Sequence, residues 1–489
     1  MRSIRRKDRS DLMISDRHLF LKVSIFLLII AVLLTACSPF RPNLRPSPEG
    51  ELPQTFALYT PEAERLDKWW EDFHDPELNT LVTEALTDSF TLQKAWARLN
   101  QARALSVQAG SALYPDLAAT AGTTYARRGI ENGLQETVTI RDYSLGLFSH
   151  YEVDLWGRIR SEWNAERLQA TATREDLNAA AITLAAEVTE RWANIISQGM
   201  QKRLLERQLQ TNLTFLELVE LRFRKAMVSA LDVYQQRQVV EQVKAEIPLV
   251  EENEQLLRHE LALLLGKPPR TPLNIQRSTI PIPLDIPATG LPADLLAARP
   301  DIRAAGLRLH AADWQVAAAR ADRLPAISLT AGASFNADKT DLLFKNWLIS
   351  LAGNLVAPLF DGQRRAAEVD RTRAVADENL VFYRETVLAA VKEVEDALVS
   401  ETKQREHIQG LELVIDAARG ALEQAIERYR KGLNDYLPVL TQLLAVQSLE
   451  RDRIRQQASL LINRINLYRA LGGTWVDNLQ PVARSQIKS

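Results

Sequence analysis

The chain has only one cysteine, Cys37, among its 489 residues, so no disulfide can form within it. Its six histidines are scattered, and none pairs with another at metal-ligand spacing. No excess of one charge is present: the net charge of -2 offers nothing to hold nucleic acid or an acidic surface. Apolar content is ordinary, which excludes a bundle of many membrane-crossing helices. The longest apolar run, Val23 to Leu34, is about 12 residues, against the roughly 20 that a spanning helix needs. A nucleophile–base set, a phosphate loop and a metal cluster are all missing. Glu393, Glu395 and Asp396 sit together on a helical stretch but make a poor catalytic group. The chain is therefore expected not to be an enzyme and to need no metal or other cofactor. Proline is absent between Gly157 and Lys225, and again between Gly362 and Lys431.

The first segment is for targeting. Arg2, Arg5, Arg6, Lys7, Arg9, Arg17 and Lys22 precede the apolar run, as in a signal peptide. Met13 gives a leader of more usual length, and the pair Arg5-Arg6 lies too far from the apolar run for the usual twin-arginine arrangement. Leu34-Thr35-Ala36-Cys37 resembles a bacterial lipoprotein box, which implies removal of residues 1–36 and acylation of Cys37. By the same rule, Ser38 in place of aspartate implies the outer membrane. Residues 38–66, with Pro39, Pro42, Pro46, Pro48, Pro53 and Pro61, read as an extended tether. With the segment after it, this makes a stretch from 37 to 84.

The remainder repeats itself. Thr120-Ala121-Gly122 matches Thr330-Ala331-Gly332, 210 positions later, and Arg98-Leu99 matches Arg308-Leu309. Further on the offset is 206: Phe223-Arg224-Lys225 meets Tyr429-Arg430-Lys431, and Leu265-Gly266 meets Leu471-Gly472. Two collinear copies, about 85–266 and 295–472, flank a proline-rich connection over 267–294. A tail over 473–489 follows.

Each copy predicts the same elements. A helix over about 90–112 or 298–322 comes first. Strands over 117–128 and 326–337 alternate: Ile327, Leu329, Ala331, Ala333 and Phe335 face one way, and Ser328, Thr330, Gly332 and Ser334 the other. Partner strands over 143–154 and 347–358 place Leu145, Leu147, Ile349 and Leu351 on apolar faces. A helix over 157–225 or 362–431 follows, about 68 residues and so roughly 100 Å long. Leu205, Leu209, Leu213 and Leu216 recur at the steps of a packed seam. A tight turn then leads to a returning helix over 230–264 or 436–471. Ser229 and Asp232 form a capping box, while Asp435 serves as N-cap with Pro438 in the first turn. Four strands cannot close a barrel, and an open sheet edge is not tolerated in hydrocarbon. Closure requires several chains.

This pattern resembles the TolC-like outer-membrane factor family, in the lipoprotein subgroup that includes OprM and NodT. The residues that carry it are Trp69-Trp70 with Phe73 and Asp75-Pro76-Glu77-Leu78, then Tyr151-Glu152-Val153-Asp154-Leu155-Trp156-Gly157-Arg158. Leu295-Leu296-Ala297-Ala298-Arg299-Pro300-Asp301, Pro358-Leu359-Phe360-Asp361-Gly362 and Leu471-Gly472-Gly473 with Trp475 continue it. The resemblance implies a mainly α fold with a transmembrane β-barrel. In it a homotrimer closes a twelve-stranded barrel above a periplasmic α-helical barrel. It implies a passive efflux channel in the outer membrane lipid, docked to a periplasmic adaptor and an inner-membrane pump of the RND type, with no nucleic acid involved. Its only non-protein part is the lipid on Cys37. Drugs, detergents, metal ions, aromatic acids and secreted metabolites are all cargoes of such systems. A lipid-anchored helical spacer without a pore is the rival reading, but a spacer needs no strand pairs.

Candidate site residues follow. Asp232, Leu437 and Thr441 fall at the narrow end of the implied tunnel. Asp232 fits a tunnel-lining carboxylate and a helix cap equally well. Leu437 fits an apolar constriction or a buried seam. Thr441 stands where related channels carry aspartate, which puts an acidic ring in doubt. Arg224, Lys225, Met227, Val228 and Ser229, with Arg430, Lys431, Gly432, Leu433 and Asn434, form the two turns and fit adaptor contact. The basic pairs also suit a solvated helix end. Leu329 and Leu351 fit a lipid-facing barrel surface. Tyr143, Tyr151, Trp156 and Trp347 fit an interfacial aromatic belt.

Overall fold

A computed structural model describes residues 68–480 except 132–134, 284, 285, 288 and 291, together with 40, 42, 53, 55 and 56. The leader and Cys37 lie outside the described residues. The backbone divides into two compact units, one gathering Gln101–Thr171 with Gly306–Phe382 and the other mainly Ala172–Ala305 with Tyr383–Ser489.

Two matched series of elements run through the chain. Helix α1 is Pro76–Asp88, with Asp75 capping it through a 2.9 Å bond from Leu78 N–H and Pro76 at the first helical position. The expected start of the first copy, at about 85, lies within α1, which ends at Asp88 with Ser89 after it. Helix α2 is Phe90–Ser111. Strands β1 (Asp116–Glu131) and β2 (Gln135–Val153) precede the 67-residue helix α3 (Arg158–Arg224) and the returning helix α4 (Ala230–Leu264). In the second series, α5 is Pro300–Ala321, β3 is Ala326–Ala337 and β4 is Trp347–Val356. Helix α6 (Arg364–Arg430) again has 67 residues, and α7 is Tyr436–Leu471.

Helix α5 starts at Pro300 rather than 298 because the residue before a proline avoids the helical region; Arg299 is extended, and Leu295–Ala298 forms a separate turn. Strand β4 stops at Val356 rather than 358, ahead of Pro358, which has no N–H for a ladder. The largest departure is in the first hairpin. Strand β2 begins at Gln135, not 143, and pairs with β1 out to Glu131. Its early stretch, Thr137-Val138-Thr139-Ile140, is β-branched throughout and suits a strand. The change of offset between the copies is thus the longer first hairpin, offset in part by a longer connection from β4 to α6.

In the first unit the four strands form one antiparallel sheet in the order β1-β2-β3-β4, leaving β1 and β4 as edges. The second unit is held by three apolar clusters. The largest surrounds Trp69, Trp70 and Trp192, with Trp69 stacked on Tyr468 at 5.2 Å. Another joins Val387, Val394 and Leu398 to Leu467 and Leu471. A third, near the turns, joins Val219, Val233, Val239, Tyr429, Tyr436 and Val439. Between helices there is also a buried ion pair: Arg464 donates two bonds to Glu401, at 2.9 and 2.6 Å. Its charges are tolerable there only because they are paired.

Candidate functional site: the two sheet faces and the helix turns

Cross-strand partners share a face, so register decides the chemistry of each side of the sheet. Leu329 pairs with Tyr151 and Gly353, Ala331 with Leu351, Ala333 with Leu147 and Ile349, and Phe335 with Leu145 and Trp347. With Leu117, Ala119 and Ala121 of β1 these residues make one continuous apolar face. Leu329 and Leu351 thus lie on the same side; Leu351 is 81% exposed and Leu329 42%. The opposite face carries Thr120, Gly122, Ser144, Gly146, Ser328, Thr330, Gly332, Ser334 and Ser350, interrupted by Phe148 and Leu348. A sheet with one side rich in exposed leucines and the other mostly of hydroxyls and glycines separates hydrocarbon from water. The Trp156 indole N–H donates to the Pro325 carbonyl at 2.7 Å, holding the base of the first hairpin to the second.

In the second unit the two long helices end alike. Ala226 has φ 53° and Gly432 has φ 71°, both left-handed. Each long helix is closed by paired backbone bonds, Ala226 N–H to Phe223 O with Met227 N–H to Arg222 O, and Gly432 N–H to Tyr429 O with Leu433 N–H to Arg428 O. Met227, Leu433, Arg224, Lys225, Arg430, Lys431 and Gly432 are exposed, whereas Val228 turns in against the apolar cluster. Ser229 is exposed, and Asn434 is partly covered.

Asp232 is half-buried, and its carboxylate accepts from Ser229 N–H at 2.9 Å and Ser229 Oγ–H at 2.8 Å. The capping box is complete. Asp435 sits at the matching N-cap position but makes no side-chain cap bond. Leu437 is 54% exposed, which does not suit a leucine buried in a seam within one chain. Thr441 is exposed too, and its hydroxyl donates back to Leu437 O at 2.9 Å.

Sequence reasoning missed what joins the two copies above the turns. Tyr436, 1% exposed, donates to Gln236 Oε1 at 2.8 Å. Gln236 donates to Asn212 O, Asn212 and Gln447 exchange side-chain bonds at 3.2 Å, and Gln208 donates to Gln447 O. All five are buried. Burial, then the nearby Tyr429 and Asp232, push the Tyr436 hydroxyl well above the usual tyrosine range. Among the described residues no group of histidine, cysteine or carboxylate side chains can hold a metal ion.

An amphipathic sheet with unpaired edges, joined to helices of 67 residues, defines a subunit of an outer-membrane channel. The family model of the outer membrane efflux protein matches residues 81–267 and 291–473, and the chain belongs to that family. It is 30% identical over 429 residues to the pyoverdine export outer membrane protein OpmQ of Pseudomonas aeruginosa, covering 86% of this chain and 90% of that protein. It is also 27% identical over 467 residues to a probable outer membrane lipoprotein, SilC, of Salmonella typhimurium, covering 93% of this chain and all of that one. Among solved structures it is similar to the outer-membrane channel OprN, with a TM-score of 0.83 and 27% identity over 90% of this chain and 100% of that chain. The protein is an outer-membrane channel component of an efflux system and not an enzyme. Proteins of this family work with an adaptor and an inner-membrane pump, are typically trimers and need no cofactor.

Proposed function

We infer that three copies of this chain close their sheets into one twelve-stranded barrel, with Leu329 and Leu351 against lipid and the hydroxyl-lined face toward water. The observation that carries this reading is the sheet itself: apolar on one side, polar on the other, with β1 and β4 each offering an unpaired edge. In hydrocarbon those edges must be paired, and only other copies supply the partners. Residues 1–36 are the leader, and Cys37 carries the acyl chains that tether residues 37 onward. The two repeats, 85–266 and 295–472, then each supply one hairpin to the barrel and one long and one returning helix to the tunnel.

The turns at Arg224–Ser229 and Arg430–Asn434 receive the adaptor, and the inner-membrane partner is a pump of the RND type. Leu437 from three chains narrows the tunnel; an apolar ring blocks hydrated solutes by dewetting. Asp232 is tied up in its cap, which makes it a weak cation ligand. The cargo is a small solute delivered by the pump, as in the relative named for pyoverdine export.

Purified protein should run as a heat-stable trimer and conduct ions in a planar bilayer. Leu329→Arg should cost about 2–4 kcal/mol at mid-membrane and prevent trimer assembly, whereas Ser328→Arg should assemble and change conductance. Equal behaviour of the two variants would overturn the assignment of the faces. Leu437→Ser should raise resting conductance; an unchanged conductance in an assembled trimer would remove Leu437 from the gate.

A further inference from the structure

The polar face of the sheet is interrupted by apolar residues, Leu348 opposite Ser334 and Ile140 opposite Ala126 among them, and one of these carries a ring. Phe148 is the only aromatic side chain on that face among the described residues, and it is 47% exposed. Its register partners are Ala118 on β1 and Gly332 on β3. The ring lies flat across two strands. A Cβ at Gly146 would come within 2.6 Å of Phe148 Cε2, and one at Gly332 within 3.1 Å of Phe148 Cδ1. Two glycines on adjacent strands therefore leave bare backbone where any other residue would lift the ring.

One ring face rests on this floor and the other stays open. Around it lies a shallow recess of about 270 Å³ whose walls include Thr330, Ser350, His150 and Asp116. Asp116 is already engaged, accepting the His150 backbone N–H at 2.6 Å. The remaining hydroxyls are free to meet polar substituents of a ligand. An aromatic residue held flat, half-exposed and ringed by hydroxyls has the composition of a stacking platform. Filling space does not explain it, because a side chain that only fills space is covered on both sides.

We propose that Phe148 on its Gly146–Gly332 floor is a binding subsite for planar aromatic solutes, above all cationic or phenolic ones. The proposal deepens the channel reading and rests on it, since it requires the hydroxyl-lined face to border the water-filled lumen. The exposed ring face attracts cations and stacks on flat rings, and Thr330 and Ser350 accept or donate to ring substituents. In the trimer three such platforms stand at one level of the barrel. A solute with a flat aromatic core lingers there, while an aliphatic solute of equal charge passes without a stop.

The test uses the full-length trimer in a planar bilayer, with blockers added on the extracellular side. The probes are ethidium, a planar aromatic cation, and tetrapropylammonium, an aliphatic one of the same charge. Phe148→Ala should weaken ethidium block about tenfold, the effect of roughly one lost cation–aromatic contact, with tetrapropylammonium unchanged. Phe148→Leu, which keeps the apolar bulk, should lose the same block, and Phe148→Trp should restore it. Equal block in parent and Phe148→Ala, or equal loss for both probes, overturns the proposal while leaving the channel intact. Trimers of the parent that conduct no ions at all overturn the channel reading and the subsite with it.

Discussion

The two helix turns share a backbone but are stabilised differently. In the first copy the long helix ends on Ala226 in a left-handed conformation, and the returning helix begins with a complete Ser229–Asp232 capping box. In the second copy the same left-handed position is Gly432, and the returning helix begins at Asp435 without a side-chain cap. Alanine there is strained where glycine is at ease. The first turn is thus strained where the chain leaves the long helix and capped where it re-enters. In the second, the exit is relaxed and the entry bare. Equivalent positions in a repeat protein reach one shape by different residues, and a mutation at matched sites has no reason to act alike.

The sharpest way to break this comparison is at the link between copies. Tyr436→Phe leaves the buried Gln236 oxygen without its donor and should cost about 1–3 kcal/mol, read as a lower midpoint of urea denaturation. The same variant tests the raised ionisation of Tyr436. A group whose folded value is raised gives stability that is present below its ordinary value and is lost as pH rises. The parent should therefore lose stability above about pH 10, the usual tyrosine range, and Tyr436→Phe should lose less of it. Tyr468 contributes in the same direction, raised first by burial and then by its bond to Asp72, so the variant should keep part of the slope.

Next come the mirrored substitutions. Gly432→Ala should destabilise by about 1 kcal/mol and Ala226→Gly should stabilise by about 0.5–1 kcal/mol in thermal melts. A loss on Ala226→Gly would show that the first turn stores no strain. Ser229→Ala, which removes the cap, should cost about 1 kcal/mol. The smallest effect belongs to Asp435→Ala, within about 0.5 kcal/mol, since its side chain caps nothing. A cost for Asp435 matching that of Ser229 would erase the difference between the turns.

How far the sequence foretold this molecule depended on whether the determining contacts were local. The 206-residue offset, the capping box and the alternation of 326–337 are short-range patterns, and they led to the long helices, the returning helix and the sheet faces. The ribbon over 135–142 has no counterpart in the shorter second hairpin, so the repeat does not announce it. Nothing local marks Gln208, Asn212, Gln236 and Gln447 as buried. They are covered because partners 200 or more positions away meet them, as Tyr436 meets Gln236 and Gln447 meets Asn212. Phe148 was hidden for a similar reason, because its seat is made by a glycine on another strand.

That buried row of amides also bears on how the helices find one another. Leucines forgive a slip of one turn, since any apolar neighbour will do. Amides and a phenol that must each meet a particular partner do not, because a slipped pairing leaves every one of them stranded without a donor or acceptor. The row therefore works as a register lock, holding the long helix α3 at one alignment against the two returning helices α4 and α7 and penalising every other.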